Sequence, residues 1–461
     1  MMNKLLQSIK PAFVAAGFYV VLPNLLFWLV AAKLGINRPI FNLDYLFVGL
    51  LFALGWRKLS TLLLGLFLIV DLLVLTGLLY PFVRLQDFSY LLSFLPYAAF
   101  TWQAAAAGVV LTLALVIGLS HRYGHRAPRL AVLALFNLGI VAYGAHVYSG
   151  EVDTDRWYRV EKRLIDSQAL FFAETRSTGF IEAFGEQGDP LKHIGFNGET
   201  AAWAQAVPEA LNDKLLLVIV ESWGVMKDQR IQQALLAPLL AKQAHFDWIK
   251  YGTSQGAKAT VAAELRELCG LATEHYNLKP VTQGFENCLP AQLKQHGYST
   301  AAIHGSVGVM YDRVHWYPRA GFDEIHFSET DPWKTRCYSF PGVCDSEIME
   351  KYISHAFDRD EKRFVYWLSL NTHALYDKRD IHEDVFDCAQ YQLAEGSEIC
   401  RMNKLHAQFF QQLAATLASP GMRGVEVMIV GDHPPRILDQ DEKEKRVEEG
   451  LVTQVHLRVK G

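Results

Sequence analysis

The sequence predicts an all-α, five-helix transmembrane domain followed by an α/β domain built on a mostly parallel sheet sandwiched by helices. Three observations predict it: five apolar segments in the first 148 residues, short β-branched runs separated by helical stretches from Leu215 onward, and acid or imidazole side chains directly after four of those runs. The expected divisions are 1–148 for the anchor, 149–210 for a connector and 211–461 for the outer α/β domain.

The apolar segments are 11–32, 41–56, 59–83, 101–120 and 129–148, most of them near the roughly 20 residues that cross a bilayer. The second is the shortest. A signal peptide is the competing reading of the first, but no small-residue cleavage site follows it and further spans do. With five spans, Lys4, Lys10, Arg57, Lys58, Arg122, Arg126 and Arg129 share one side, against Lys33, Arg38 and Arg84 on the other. The positive-inside rule makes the richer side cytoplasmic. An odd number of spans then places everything after residue 148 outside, which is periplasmic for a protein of a Gram-negative inner membrane. Asp71 falls inside the third span, where a charge is costly; pairing with another helix, protonation and a contact to a lipid headgroup each answer that cost.

The overall charge of −4 argues against nucleic acid as partner. All six cysteines, Cys269, Cys288, Cys337, Cys344, Cys388 and Cys400, lie in the part assigned to the outside, where disulfides persist. Sequence cannot choose among the pairings, and neighbours are the favoured partners because the intervals are short. In the connector, Trp157, Tyr158, Leu164, Phe171 and Phe172 interleave with Arg156, Arg159, Lys162 and Arg163. That is the pattern of an amphipathic helix on headgroups, and equally of a helix packed on the soluble domain.

From Leu215 the clearest strand candidates are Leu215 to Val220, Thr300 to Ile303, Phe364 to Leu370 and Val425 to Val430, with an apparent last strand from Val452 to Val459. Glu221 follows the first, His304 the second, Asn371-Thr372-His373 the third and Gly431-Asp432-His433 the fourth. Ligands of open α/β sheets bind beyond the carboxyl ends of the strands. Glu221, Asp432 and His433 together form a ligand set suited to Zn²⁺ or Mn²⁺, although an acid after a strand also serves as a helix cap. The glycine-containing stretch 252–259 runs into a strong helix former, with Thr260 at its start and Glu264 one turn on. A helix N-terminus favours an alkoxide and a phosphoryl group there; a plain N-cap threonine is the alternative.

The ordered segments VIVESWG, SQGAKATVAAE, HGSVGVMYDR, LNTH and VGDH resemble motifs of the lipoteichoic acid synthase and lipid A phosphoethanolamine transferase group of the alkaline phosphatase and sulfatase superfamily. The five-span anchor and connector resemble that architecture as well. The resemblance implies a transfer in two steps. Thr260, activated by a divalent metal, takes a headgroup phosphate from a phospholipid donor, and an envelope glycan or lipid acceptor then takes the group from the phosphothreonine. By motif, Glu221, Thr260, Asp432 and His433 would bind the metal, His304 and His373 would contact phosphate or shuttle protons, and Tyr311, Arg313 and Glu264 would bind substrate. The chain ends soon after His433, so a substrate histidine of the family's longer C-terminal segment has no match; His456 is expected to pack or face solvent. Sulfatases proper carry Cys-x-Pro-x-Arg at the nucleophile, and Cys288-Leu289-Pro290-Ala291-Gln292 has Gln where Arg belongs. A phosphodiesterase or other hydrolase on the same fold is the first alternative, a non-catalytic binding module the second. The headgroup, phosphoethanolamine or phosphoglycerol, stays open.

Overall fold

The computed structural model describes residues 11, 13–34, 38–79, 87, 92–93, 95–97, 100–148, 164–176, 183–196, 200–206, 211–359 and 361–461. The chain forms two units, Met1–Glu182 and Ala183–Gly461. Lys4, Lys10 and Arg84 of the charge comparison lie outside the described residues. So do Trp157, Tyr158, Arg156, Arg159, Lys162 and Arg163 of the connector.

The first unit is helical: α1 (Phe13–Lys33), α2 (Leu43–Ala53), α3 (Arg57–Leu79), α4 (Phe100–Tyr123) and α5 (Arg129–Tyr148). Among the described residues four helices, not five, are long and apolar enough to cross a membrane. Segment 41–56 yields only the 11-residue α2, about 16 Å of helix against a hydrocarbon core of roughly 30 Å. The Asn42 side chain caps it, accepting from Asp44 N at 3.0 Å, and a turn through Gly55 at φ +90° ends it. The short helix nevertheless keeps the alternation of direction. At one end Arg57 Nε donates to His121 O (2.7 Å) and Tyr19 OH to Gly124 O (2.8 Å). At the other, Phe41–Asn42 pairs with Ile165–Asp166, and Asp44 accepts from Ser167 Oγ at 2.6 Å. The chain therefore leaves the bundle opposite the basic end that carries Arg57, Lys58, Arg122, Arg126 and Arg129, as the positive-inside rule requires of an outer domain.

Asp71 is buried in α3 and paired with the Arg38 guanidinium, whose Nη2 also donates to Asn24 Oδ1 at 2.8 Å. Tyr45 OH donates to Asp71 Oδ2 at 2.8 Å. The charge is thus neutralised inside the bundle. Of the connector, α6 (Gln168–Arg176) buries Phe171 against Val74 and Leu78 of the same unit. The stretch after residue 183 folds with the second unit, where Trp203 Nε1 donates to Glu426 Oε1 at 2.7 Å.

The second unit contains an eight-stranded sheet: β1 (Lys214–Val220), β2 (Gly224–Met226), β3 (Phe246–Gln255), β4 (Ser299–His304), β5 (Glu324–His326), β6 (Arg363–Leu368), β7 (Glu426–Gly431) and β8 (Val447–Val459). Its order is β2-β8-β7-β1-β6-β4-β5, with β3 also on β8. The row β7-β1-β6-β4-β5 is parallel, whereas β8 runs antiparallel to β7, β2 and β3. The sheet is therefore mixed rather than mostly parallel. Of the parallel strands, β7, β1, β6 and β4 are buried on both faces and read as largely apolar runs, while the short β5 is half-buried and β3 is mostly exposed, and both leave a weaker trace.

Leu216, Val218 and Val220 face a core shared with α7 (Gln229–Ala241) and α10 (Glu398–Leu417), through Ile231, Leu235, Leu405 and Phe410. On the opposite face lie α8 (Thr260–Cys269) and the helix Leu289–Gln295. A short α9 (Asp345–Lys351) completes the frame. Three disulfides join sequence neighbours, Cys269–Cys288, Cys337–Cys344 and Cys388–Cys400. All lie in this unit, which matches an oxidising, periplasmic compartment.

Candidate metal and phosphoryl-transfer site

The parallel strands set the geometry, because β1 lies between β7 and β6 and all three end on the same edge. Glu221, directly after β1, is held by its backbone. Its N–H donates to Ser369 Oγ (3.0 Å), and its carbonyl accepts from Thr372 Oγ1 (2.7 Å) and faces His406 Nε2 at 3.3 Å. The carboxylate is thereby aimed at residues after β7. His433 Nε2 lies 3.2 Å from Glu221 Oε1 and 3.2 Å from Asp432 Oδ2. His433 Nδ1 is 2.9 Å from Pro434 O, so a proton held on Nδ1 would leave Nε2 available to a cation bound there.

Asp432 is fully buried. Its Oδ1 accepts from the backbone N–H groups of Ser222 and His433, each at 2.7 Å. Its Oδ2 accepts no hydrogen bond and has the His433 Nε2 contact at 3.2 Å. A buried carboxylate oxygen left over in this way is costly unless something positive faces it. Ligand atoms of Glu221, Asp432 and His433 all lie within 4.8 Å of one another, a spacing that fits one divalent cation. The electrostatics agree. Burial, together with the Glu221 charge, pushes the Asp432 carboxyl up to about 7. Burial works against charge on His433, but Asp432 and Glu221 outweigh it and hold the imidazole up to about 10. The pocket calls for positive charge. Glu395 with Cys388 and Cys400 is a second grouping of ligand-type side chains; the disulfide between those cysteines takes their sulfurs out of metal chemistry.

Thr260 is the first residue of α8, and its Oγ1 lies 3.3 and 3.4 Å from the two Glu221 oxygens. The loop before it is fixed to the same site: Ala257 N donates to Asp432 O at 2.9 Å, and Gly256 N to Gly450 O at 2.7 Å. A side chain at residue 256 would meet Pro434 Cδ at 2.9 Å, so that position needs glycine. The structure therefore brings Glu221, Thr260, Asp432 and His433 together.

His373 also reaches this group, with Nε2 3.8 Å from Glu221 Oε1. Burial drops its imidazole to about 4. His304 is buried at the end of β4, its Nδ1 3.1 Å from Leu368 O. Burial and then the charge of Arg313 hold it well below the usual range. The same burial keeps both rings neutral near pH 7.

The expected substrate residues form a separate knot. Arg313 Nη2 donates to Glu264 Oε2 at 2.7 Å and Arg313 Nε to Oε1 at 3.1 Å, with Tyr366 OH on Oε1 at 2.9 Å. Tyr317 OH donates to Oε1 as well. Glu264 and Arg313 are 0% and 1% exposed, so the guanidinium serves the protein's own carboxylate rather than an open headgroup cradle. Tyr311 is buried and stacked on Phe184, ring centroids 5.3 Å apart. His456 packs edge-on to Trp248 and bonds Glu426 Oε1 at 2.9 Å, away from the cation group.

Sequence reading missed His406, Ser369 and Ser222. His406 sits on α10, and burial lowers its imidazole to about 4. Nothing in its helical surroundings separates it from a core histidine. Ser222 carries a positive φ of 59°, which aims its N–H at Asp432; its place directly after Glu221 was the available signal.

A family model described as Sulfatase matches residues 214–453. A search of curated proteins finds no match. Among solved structures, the lipoteichoic acid synthase LtaP from Listeria monocytogenes is 16% identical, with 58% of this chain and 72% of that chain covered and a TM-score of 0.41. The phosphoglycerol transferase GacH from Streptococcus pyogenes gives 13%, 59%, 77% and 0.42 for the same quantities. The lipooligosaccharide phosphoethanolamine transferase EptA from Neisseria meningitidis gives 12%, 98%, 88% and 0.36. The family match spans more than half of the chain and contains every strand-end residue of the site, and on that ground the chain belongs to the sulfatase family.

Proposed function

We propose that this protein is a membrane-anchored enzyme that transfers a phospholipid headgroup phosphate, as phosphoethanolamine or phosphoglycerol, through a phosphothreonine on residue 260 to a glycan or lipid of the cell envelope. One observation carries the reading. The Thr260 hydroxyl, at a helix N-terminus, lies beside a carboxylate that forms, with buried Asp432 and half-buried His433, a trio holding an oxygen without a hydrogen bond.

Glu221, Asp432, His433 and the Thr260 hydroxyl would hold Zn²⁺ or Mn²⁺, which supplies Lewis acidity toward a phosphoryl oxygen when bound. The remaining work falls to the chain. Glu221 accepts the hydrogen bond of the Thr260 hydroxyl and fixes its direction. In the first step a bond forms between Thr260 Oγ and phosphorus, the bond from phosphorus to the diacylglycerol oxygen breaks, and the hydroxyl proton ends on that oxygen. In the second, the acceptor hydroxyl attacks the same phosphorus, loses its proton to a neutral imidazole, and Thr260 Oγ leaves and is reprotonated. His373, 3.8 Å from Glu221, and His304, at the end of β4, would carry that proton traffic. The N-terminal dipole of α8 favours the negative charge that gathers at Thr260.

The test is release of diacylglycerol from phosphatidylethanolamine or phosphatidylglycerol vesicles by the full-length protein in detergent with zinc or manganese. The reading expects release from one of the two donors and none from Thr260→Ala. Equal release by Thr260→Ala would overturn it.

A further inference from the structure

The six-residue loop 338–343 lies beside the site with no role so far. The Cys337–Cys344 disulfide closes it, and Cys337 N donates to Gly342 O at 2.9 Å. It is braced against both segments that carry imidazoles. Val343 N donates to Gly305 O at 2.9 Å, directly after His304. Gly342 lies so close to that strand end that a Cβ would stand 2.5 Å from Gly305 O. On the other side, Leu375 N donates to Ser339 O at 3.1 Å and Asp377 N to Ser339 Oγ at 2.9 Å. The loop itself is fixed by Asp380, which accepts from Tyr338 N at 2.8 Å and from Ser339 N. At its tip the buried Phe340 meets the His373 ring, centroids 4.7 Å apart and edge to face. The next residue after the staple, Asp345, accepts from Leu370 N (3.1 Å) and Asn371 N (2.8 Å), the backbone that leads into His373. The disulfide also walls a cavity of about 20 Å³ shared with Thr372 and Asn371.

We propose that the loop stapled by Cys337 and Cys344 is a positioning element of the transfer site, and that Phe340 is the residue through which it sets the direction of the His373 ring. This rests on the transfer reading above and adds to it the part that orients the proton carrier. Phe340 meets the imidazole edge-on, so the position assigned to it is exercised through His373. An edge-to-face contact restricts ring rotation, and misplacing a reacting group by about 1 Å can cost on the order of 100-fold in rate.

The experiment uses the full-length, zinc-loaded protein in detergent and two readouts. The first is the rate of carbethoxylation of His373 by diethyl pyrocarbonate, followed by peptide mass, with exposed His245 as internal control. Phe340→Ala is expected to raise the rate at His373 severalfold and leave His245 unchanged, with Phe340→Leu in between. The second readout separates formation of the phosphothreonine from its discharge to acceptor. Phe340→Ala is expected to slow discharge by about 10–100-fold at unchanged zinc content. Cys337→Ala with Cys344→Ala is expected to do the same, and Phe340→Ala keeps the test decisive should the double variant fold poorly. Unchanged labelling of His373 in Phe340→Ala overturns the proposal, as does an equal loss in formation and discharge. Absence of any phosphothreonine in the unmodified protein would instead strike the transfer reading, while the labelling result still decides the positioning role.

Discussion

Thr260 Oγ1 and Glu221 Oε1 stand 3.3 Å apart although 39 residues separate them in the chain. The contact exists because β1 ends beside the loop that precedes α8, and because that loop is itself tied to Asp432 through Ala257. The Thr260 hydroxyl, its acceptor and the side chains of Asp432 and His433 therefore form one unit, and under the proposed function a lost charge there should cost more than a lost hydrogen bond around it.

Asp432→Asn takes a charge from the trio and puts an amide where the orphaned oxygen stood. Zinc affinity should fall by more than the roughly 10–100-fold typical of losing an outer partner. Thr372→Val removes one hydrogen bond to the Glu221 carbonyl and should stay within that range. Competition titration with a chromogenic chelator orders the two, and equal losses would contradict the ligand assignment.

Arg313→Met leaves the Glu264 carboxylate buried without its partner, a change that costs about 3–5 kcal/mol. Adding Glu264→Leu should recover part of the loss, while the hydroxyls of Tyr317 and Tyr366 stay unsatisfied. Thermal unfolding measures both. If the pair is structural, KM for the phospholipid stays unchanged in whatever fraction folds; a raised KM at full stability would return Arg313 to the substrate.

Asp71→Ala removes the partner of a guanidinium that is 3% exposed inside the helical unit. The expected result is a lower melting temperature in detergent, by about 3–5 kcal/mol of stability, with partial rescue by the further change Arg38→Met. A variant as stable as the parent would point away from a structural pairing.

Glu347 supplies a pH dependence. Burial works against its charge, but hydrogen bonds from Lys351, Thr335 and Lys334 outweigh it and hold the carboxyl down to about 2. A carboxyl lowered on folding stabilises the native state above its unfolded value, and that contribution disappears as pH falls toward the folded value. Glu347→Gln should therefore lower the melting temperature at pH 6–7, by roughly 1–3 kcal/mol of stability. The gap to the parent should narrow between about pH 4.5 and pH 2. A gap that stays constant with pH would contradict the assignment.

The parts of the fold legible from sequence were those with a strong local signature. The parallel strands β1, β4, β6 and β7 fall within a few residues of the apolar runs because burial on both faces demands such runs, and Glu221, Asp432 and His433 were visible as polar residues at their ends. What escaped detection depends on pairing across long separations. The edge strand β3 is largely exposed and ends in the polar run Gly252 to Gln255, so it resembles a loop, and α2 is mostly apolar yet too short to span, since composition does not fix where Asn42 starts the helix and Gly55 ends it. Arg313 read as a headgroup ligand by its place in the resembling motif. Only the fold shows that Glu264 occupies it first. His406 offered no signal at all, as a helix-borne histidine is indistinguishable from a core residue until its neighbour is known.

The most direct measurement is the mass of the tryptic peptide that carries residue 260, taken from full-length protein exposed to zinc and phospholipid and then quenched in acid. The account predicts a covalent gain equal to a phosphoethanolamine or phosphoglycerol group on Thr260, lost in Glu221→Gln and Asp432→Asn. An unmodified Thr260 in protein that still releases diacylglycerol, or the same adduct on another residue, would contradict it.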